Sequence, residues 1–146
     1  MGLIRLCPIC HGKVDYGKKC QCEIDKQKQK YRQYKYDRKD KKEQVFYSSS
    51  EWIKIRNYVK SKQLNCCLFC WFKDNVFNDC DLVHHIIELK EDWNKRIDVN
   101  NLICLCSYHH KFVHDLYNKS EKDKEEMRRF LGVIGREWKK QFSKEE

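Results

Sequence analysis

Histidine is the residue type in this chain whose positions first suggest chemistry. Five of the six histidines lie between residues 84 and 114. His110 and His114 are four residues apart, so on a helix they would share one face and could bind one cation together. His84 and His85 are adjacent, and on a strand they would point to opposite sides. One of this pair could therefore bind the same cation while the other faces elsewhere.

Cysteine is the second residue type whose spacing predicts a site. Cys67 and Cys70 form a CxxC pair, and Cys106 and His109 form a CxxH pair further along the chain. Together they supply the thiolate and imidazole ligands of a tetrahedral structural zinc ion. The alternative is a set of buried, reduced cysteines, which two correctly spaced pairs disfavour. Because a small domain gains folding free energy from such an ion, we expect a structural zinc here.

A further group of cysteines lies near the start of the chain. Its spacing is CxxC-x9-CxC, and its members are Cys7, Cys10, Cys20 and Cys22. This pattern predicts a second zinc site, in which the neighbouring His11 could substitute for one ligand. Such a segment could position DNA or bind another protein, and its residues do not decide between the two. The remaining thiols are interpreted as ordinary cysteines: Cys66, Cys80 and Cys104.

The composition favours a polyanionic partner. Lys and Arg outnumber Asp and Glu by 31 to 22, which gives a formal net charge of +9. Neutralised phosphates release condensed counterions, so a basic protein is suited to nucleic acid, although charge alone is weak evidence. The mean hydropathy is −0.91, and no apolar run approaches the ~20 residues that cross a bilayer. We find no signal peptide and expect a cytoplasmic protein with no membrane partner, in which ten cysteines point to metal binding.

Hydrophobic periodicity predicts helices on both sides of the histidine region. Ser48 and Glu51 have capping-box spacing at the start of a helix over 49–62. Short strands are predicted at 82–87 and 102–105, and a helix over 107–117. The C-terminal segment has apolar residues at helical spacing, with Ser120 as N-cap. Gly132 and Gly135 weaken that helix and could interrupt it.

A charged run at 26–43 has an ambiguous structure. It contains tyrosines among its basic residues, and it could form a solvated helix or a flexible linker. In either form it could lie along a DNA backbone, with Lys35 and Arg38 as candidate phosphate contacts. Arg96, in the loop after the first predicted strand, could bind a phosphate or remain a solvated loop residue.

The segments around the histidines resemble the HNH endonuclease family. The resemblance rests on Leu82-Val83-His84-His85-Ile86, on Asp98-Val99-Asn100-Asn101-Leu102, and on Leu105-Cys106-Ser107-Tyr108-His109-His110 followed by His114. It covers about residues 64–118, with the motifs in the family's order. The paired cysteines before the first motif resemble those of the zinc-bearing members, including members from phage genomes. The family's fold is a ββα-metal unit, in which two strands and a helix hold a divalent ion.

The resemblance implies a role for each matching residue. His85 matches the general base that activates water, and His84 matches the metal ligand before it. His110 matches the metal ligand at the start of the helix, and His114 resembles the additional helical ligand of the nuclease colicins. Asn101 matches the middle residue of the motif, whose side chain is expected to hold the loop backbone. A neutral imidazole, with an ordinary pKa near 6.5, suits a general base at neutral pH.

One position departs from the family pattern. The residue before the helical ligand is usually cysteine, whereas it is His109 here. Because histidine also binds zinc, this changes the predicted ligand set to three cysteines and one histidine.

These observations predict an α+β protein with a small zinc-stabilised ββα-metal (HNH) module flanked by helices. The segments would be a zinc-ribbon-like segment at 1–24, a charged helix or linker at 25–47, the nuclease domain at 48–118 and an amphipathic helix at 119–146. The predicted function is DNA hydrolysis with one divalent cation (Mg²⁺, Mn²⁺, Ni²⁺ or Zn²⁺), and the resemblance to the family implies 5′-phosphate and 3′-hydroxyl ends. The likeness to phage members suggests genome processing or packaging beside a terminase. The alternatives are a zinc-ribbon DNA-binding protein and a non-catalytic adaptor.

Overall fold

The computed structural model describes residues 2–142, and the chain divides into two compact units, within Met1–Lys41 and Lys42–Glu146. In the first unit, strands β1 (Ile4–Leu6) and β2 (Lys13–Asp15) pair antiparallel. They are followed by helix α1 (Gln21–Asp37), which has no buried residue. Most of the charged run is therefore a solvated helix, one of the two forms that its composition allowed.

Three helices precede the histidine motifs in the second unit. They are α2 (Lys41–Tyr47), α3 (Ser50–Lys62) and α4 (Leu68–Asp74). The expected capping box at Ser48 is wrong by one residue. The N-cap of α3 is Ser49, whose Oγ accepts a hydrogen bond from Trp52 N at 3.2 Å.

The central motif has the order strand, strand, helix. Strand β3 (Leu82–His85) pairs antiparallel with β4 (Leu102–Leu105), and α5 (Ser107–Lys119) follows directly. The first strand is shorter than the predicted 82–87, because the Ile87 N–H bonds to the Asn101 side chain instead of a partner strand. The α+β fold with a small ββα module is confirmed.

The C-cap residue of α3 pairs with the backbone of β4 on the side away from β3. Gln63 is buried, and its amide nitrogen donates to the Leu102 carbonyl at 3.2 Å. Its amide oxygen accepts from Cys104 N at 2.7 Å. The two bonds satisfy backbone groups that a third strand would otherwise have to pair.

The last helix, α6 (Glu121–Phe142), packs its apolar stripe on the core and contacts α5 and α4. Ser120 is at its N-terminus as predicted, with Oγ accepting from Asp123 N at 3.0 Å. The helix is continuous through Gly132 and Gly135, because the buried side chains on either side hold it in place. Those buried apolar side chains are Met127, Leu131, Ile134 and Trp138. No helix within residues 2–142 is long and apolar enough to cross a membrane.

Candidate metal centres and active site

The four residues predicted to bind a structural zinc are gathered in one buried cluster, Cys67, Cys70, Cys106 and His109. The Nδ1 atom of His109 lies 3.2 to 3.7 Å from the three sulfur atoms. The sulfurs of Cys70 and Cys106 are 3.8 Å apart. Zinc–sulfur bonds of about 2.3 Å in a tetrahedron place two sulfurs roughly 3.8 Å apart, so the donor set fits this ion.

Local structure explains how the four ligands meet. Cys67 is the N-cap of α4 and Cys106 is the N-cap of α5, so each pair spans a helix N-terminus, where backbone N–H groups favour thiolates. The His109 ring stacks on Phe69 at 4.2 Å between centroids. Burial raises the pKa of Cys67 to about 12, so without a cation this thiol would stay protonated. A bound cation would reverse that preference.

Three histidines form a second cluster between β3 and α5. One ring nitrogen from each of His84, His110 and His114 lies within 4.8 Å of the others. The Nε2 atoms of His110 and His114 are 3.2 Å apart. His84 is 3% exposed, and its Nε2 has no hydrogen-bond partner among the described residues. Burial lowers the pKa of His84 well below its usual value, so the ring is neutral. A buried nitrogen without a partner costs stability unless something binds it, so this cluster fits a cation.

A charged network lies behind the histidine cluster. Glu88 Oε1 is 3.8 Å from Nδ1 of His114, and Glu88 Oε2 is 3.8 Å from the Lys124 ammonium. Lys124 also bonds Glu91, which pairs in addition with Arg128. Glu88 is close to His114 without a hydrogen bond to it, and its ion pair with Lys124 connects α6 to the ligand side of α5.

His85 points away from this cluster, as alternation along β3 requires. It is 4% exposed and stacks on Trp52, with 5.0 Å between ring centroids. Its Nε2 lies 2.9 Å from the Arg96 carbonyl oxygen. A carbonyl only accepts, so Nε2 carries the proton and Nδ1 is the acceptor in the neutral ring. Burial lowers the pKa of His85, opposed by the bond to Arg96, so the ring is neutral near pH 7.

Asn101 fixes the loop that brings Arg96 to His85. Its Oδ1 accepts from Ile87 N at 2.8 Å, and its Nδ2 donates to the carbonyls of Ile87 at 3.0 Å and Lys95 at 3.3 Å. The side chain is 5% exposed. Lys95 precedes Arg96, so Asn101 and His85 hold neighbouring peptide groups of one loop.

The N-terminal cysteines also form a cluster, with the four ligand atoms within 4.8 Å of one another. Its members are Cys7, Cys10, Cys20 and Cys22. The backbone bond from Cys7 N to Gly12 O, at 2.9 Å, closes a loop that contains the first two ligands. Hydrogen bonding to Gly12 and to the other thiols lowers the pKa of Cys10 to about 7, which favours a thiolate. His11 is not a member of the cluster.

The predicted DNA contacts have different surroundings. Lys35 lies over the Tyr31 ring at 5.0 Å on the exposed helix α1. Arg38 is held by Asp40 through two hydrogen bonds of 2.7 and 2.5 Å. Arg96 lies over Trp93, with its guanidinium carbon 5.3 Å from the ring centroid.

Two residues at the site were not predicted from the sequence. Tyr47 places its hydroxyl 3.3 Å from Nδ1 of His85, and Glu88 lies beside His114. Tyr47 is 38 positions from His85, and no spacing rule connects them. Glu88 follows the histidine pair closely in an acidic loop, which is a weak signal.

The chain is 32% identical over 83 residues to a "probable HNH endonuclease" of Lactococcus phage SK1, covering 53% of this chain and 84% of that protein. It also resembles the crystal structure of the HNH endonuclease of the deep-sea thermophilic bacteriophage GVE2, which contains a manganese ion. That match has a TM-score of 0.50 and 31% identity, and covers 60% of this chain and 97% of the other. No family model matches the sequence. These similarities and the ββα site establish that the chain belongs to the HNH endonuclease family.

Proposed function

We propose that this protein is a metal-dependent endonuclease that hydrolyses DNA phosphodiester bonds. The observation that carries the proposal is the pair of environments on β3. His84 belongs to the three-histidine cluster, and its buried Nε2 has no hydrogen-bond partner among residues 2–142. His85 faces the other side as a neutral imidazole with its acceptor at Nδ1. Family membership supports the same reaction, because the relatives are named as HNH endonucleases.

In this mechanism His85 is the general base. The bond to the Arg96 carbonyl holds its tautomer and orientation, which leaves Nδ1 to receive a proton from the attacking water. His84, His110 and His114 would hold the divalent cation, for which Mg²⁺, Mn²⁺, Ni²⁺ and Zn²⁺ are candidates. When bound, the cation supplies charge neutralisation at the phosphate and at the leaving oxygen. Departure of the 3′-oxygen leaves 5′-phosphate and 3′-hydroxyl ends.

Three basic residues are proposed to bind the DNA backbone. Arg96 is held at the edge of the active site by its own carbonyl bond to His85, so its guanidinium could reach a phosphate near the base. Lys35 is on the solvated helix α1 and could bind a phosphate without losing a buried contact. Arg38 would have to exchange Asp40 for phosphate, so we expect it to contribute least.

The cysteine clusters are proposed to be structural zinc sites, one in each unit. Thiolate ligands persist in reducing compartments, so we place the protein in the cytoplasm, the host's if a phage encodes it. By analogy with its phage relatives, the enzyme would act in genome processing or packaging, with a terminase as a possible partner class. The non-catalytic alternatives are a zinc-ribbon DNA-binding protein and an adaptor, and neither function requires His85.

The test is cleavage of supercoiled plasmid by purified protein, with EDTA or with added Mg²⁺, Mn²⁺ or Ni²⁺. We expect metal-dependent nicking that His85→Ala reduces by about 10²-fold or more. His11→Asn is the matched control, because it removes a histidine outside the clusters and asparagine tolerates the left-handed backbone at this position. No cleavage with any metal, or equal cleavage by His85→Ala, would reject the nuclease.

A further inference from the structure

The acceptor nitrogen of His85 is enclosed by side chains from the end of α2 and the first turn of α3. Trp52 stacks on one face of the imidazole, and the Phe46 ring lies edge-on with 6.1 Å between centroids. The polar group at Nδ1 is the hydroxyl of Tyr47, at 3.3 Å. Nδ1 is an acceptor, so the hydroxyl donates to it. The hydroxyl of Tyr47 is therefore the group that contacts the acceptor nitrogen of the base.

The geometry leaves no space for water between the two groups. A bridging water needs about 2.8 Å on each side, so it cannot fit between atoms 3.3 Å apart. The tyrosine oxygen has further acceptor capacity, however, and Tyr47 is 41% exposed. A water can thus bond to the tyrosine oxygen while the tyrosine hydroxyl stays bonded to His85.

We propose that Tyr47 relays the proton from the attacking water to His85. As the hydroxide forms and attacks phosphorus, a water proton moves to the tyrosine oxygen and the tyrosine proton moves to Nδ1. Tyr47 ends the step neutral with an exchanged proton, His85 becomes the imidazolium, and the 3′-oxygen leaves with the electrons of its bond to phosphorus. The relay rests on the proposed nuclease function and adds a residue to it.

The environment of Tyr47 suits a relay. Burial raises the pKa of Tyr47 to about 12, aided by Glu43 and Glu88, so the hydroxyl keeps its proton at neutral pH. Its ring packs edge-on against Trp52, with 5.3 Å between centroids. The alternative is that Tyr47 only covers the base and must swing away before water enters. Removing a cover would leave the rate unchanged or raise it, whereas removing a relay lowers the rate.

The first experiment compares Tyr47→Phe with wild type in single-turnover cleavage of a labelled DNA duplex. The variant keeps the ring and loses the hydroxyl. We expect the cleavage rate constant to fall at least about tenfold with DNA affinity within about twofold, because the attacking water must then donate directly to Nδ1 and lacks the hydroxyl that positions it. Tyr58→Phe is the matched control, since Tyr58 is half-exposed on α3 beside Lys62 and away from His85. A Tyr47→Phe rate equal to or above wild type would overturn the relay.

A second measurement counts the protons that move in the cleavage step. Cleavage rates in mixtures of H₂O and D₂O should follow a curved proton inventory, since two protons move together, and the curve should become linear in Tyr47→Phe. A linear wild-type inventory overturns the relay.

In the zinc-loaded protein without the catalytic ion, ¹⁵N NMR should show Nδ1 of His85 losing a hydrogen bond in the variant. If wild type does not cleave DNA, both proposals fail, whereas cleavage that needs His85 but is indifferent to Tyr47 defeats the relay alone.

Discussion

Replacing Asn101 by alanine tests how the loop supports the active site. The change removes three hydrogen bonds to backbone groups of Ile87 and Lys95 from a side chain that is 5% exposed. A buried group left without its partner costs about 1–3 kcal/mol. Because Ile87 and Lys95 are partly exposed, water can satisfy some of these groups, and we expect about 2–4 kcal/mol in total. That is a large fraction of the ~5–15 kcal/mol by which domains are stable.

The assay is urea unfolding at a fixed free zinc concentration, followed by circular dichroism. Asn94→Ala is the control, because Asn94 is exposed in the same loop and its change should cost no more than about 0.5 kcal/mol. DNA cleavage by Asn101→Ala should also fall about 10²-fold, since the loop places the carbonyl that orients His85. A stability loss below about 1 kcal/mol, or full activity, would refute the assigned role of Asn101.

Three further changes test other parts of the molecule. Cys106→Ala should lose one zinc per chain by elemental analysis and unfold at a much lower temperature, whereas Cys104→Ala, outside the clusters, should keep its zinc. Glu88→Gln should weaken Mn²⁺ binding about tenfold or more in calorimetry, because a carboxylate beside a metal-binding histidine favours the bound cation. Glu121→Gln, at the exposed start of α6, should leave Mn²⁺ binding unchanged. Ser120→Ala should destabilise the protein by about 1 kcal/mol in thermal melts, because Asp123 N loses its capping acceptor; a loss near zero would remove the capping role.

The sequence predicted the parts of the fold that depend on local pattern. The ββα order, the helix over α3 and the start of α6 at Ser120 follow from periodicity and capping. The error at Ser48 arose because three serines stand in a row: the Ser48 hydroxyl donates to the Gln44 carbonyl at the end of α2, and Ser49 caps α3. The continuity of α6 through its glycines also depends on tertiary packing, which outweighs their low helix propensity.

The candidate site was predictable where its members share a short motif. The spacing of the histidine pair on β3 and of the HxxxH on α5 predicted that His84, His110 and His114 would lie together, and their ring nitrogens do. Tyr47 and Gln63 could not be predicted, because each acts through a contact that forms only after distant segments pack. The charged run shows a different limit. Its composition is compatible with both a helix and a linker, and the structure has a helix over Gln21–Asp37.

Helix α5 carries neighbouring residues that belong to different candidate metal clusters. His109 faces Cys67 and Cys70, whereas His110 faces His84 and His114. If the cysteine cluster is empty, the first turn of α5 is held to α4 by ring packing on Phe69 without a metal link, and we expect the ligands of the histidine cluster to be less well positioned. The two clusters should therefore fill in a set order, with the cysteine cluster first. If the clusters bind zinc and a catalytic cation as proposed, chains made without zinc would stay inactive however much magnesium or manganese is present, and nuclease activity would depend on the zinc supply during synthesis.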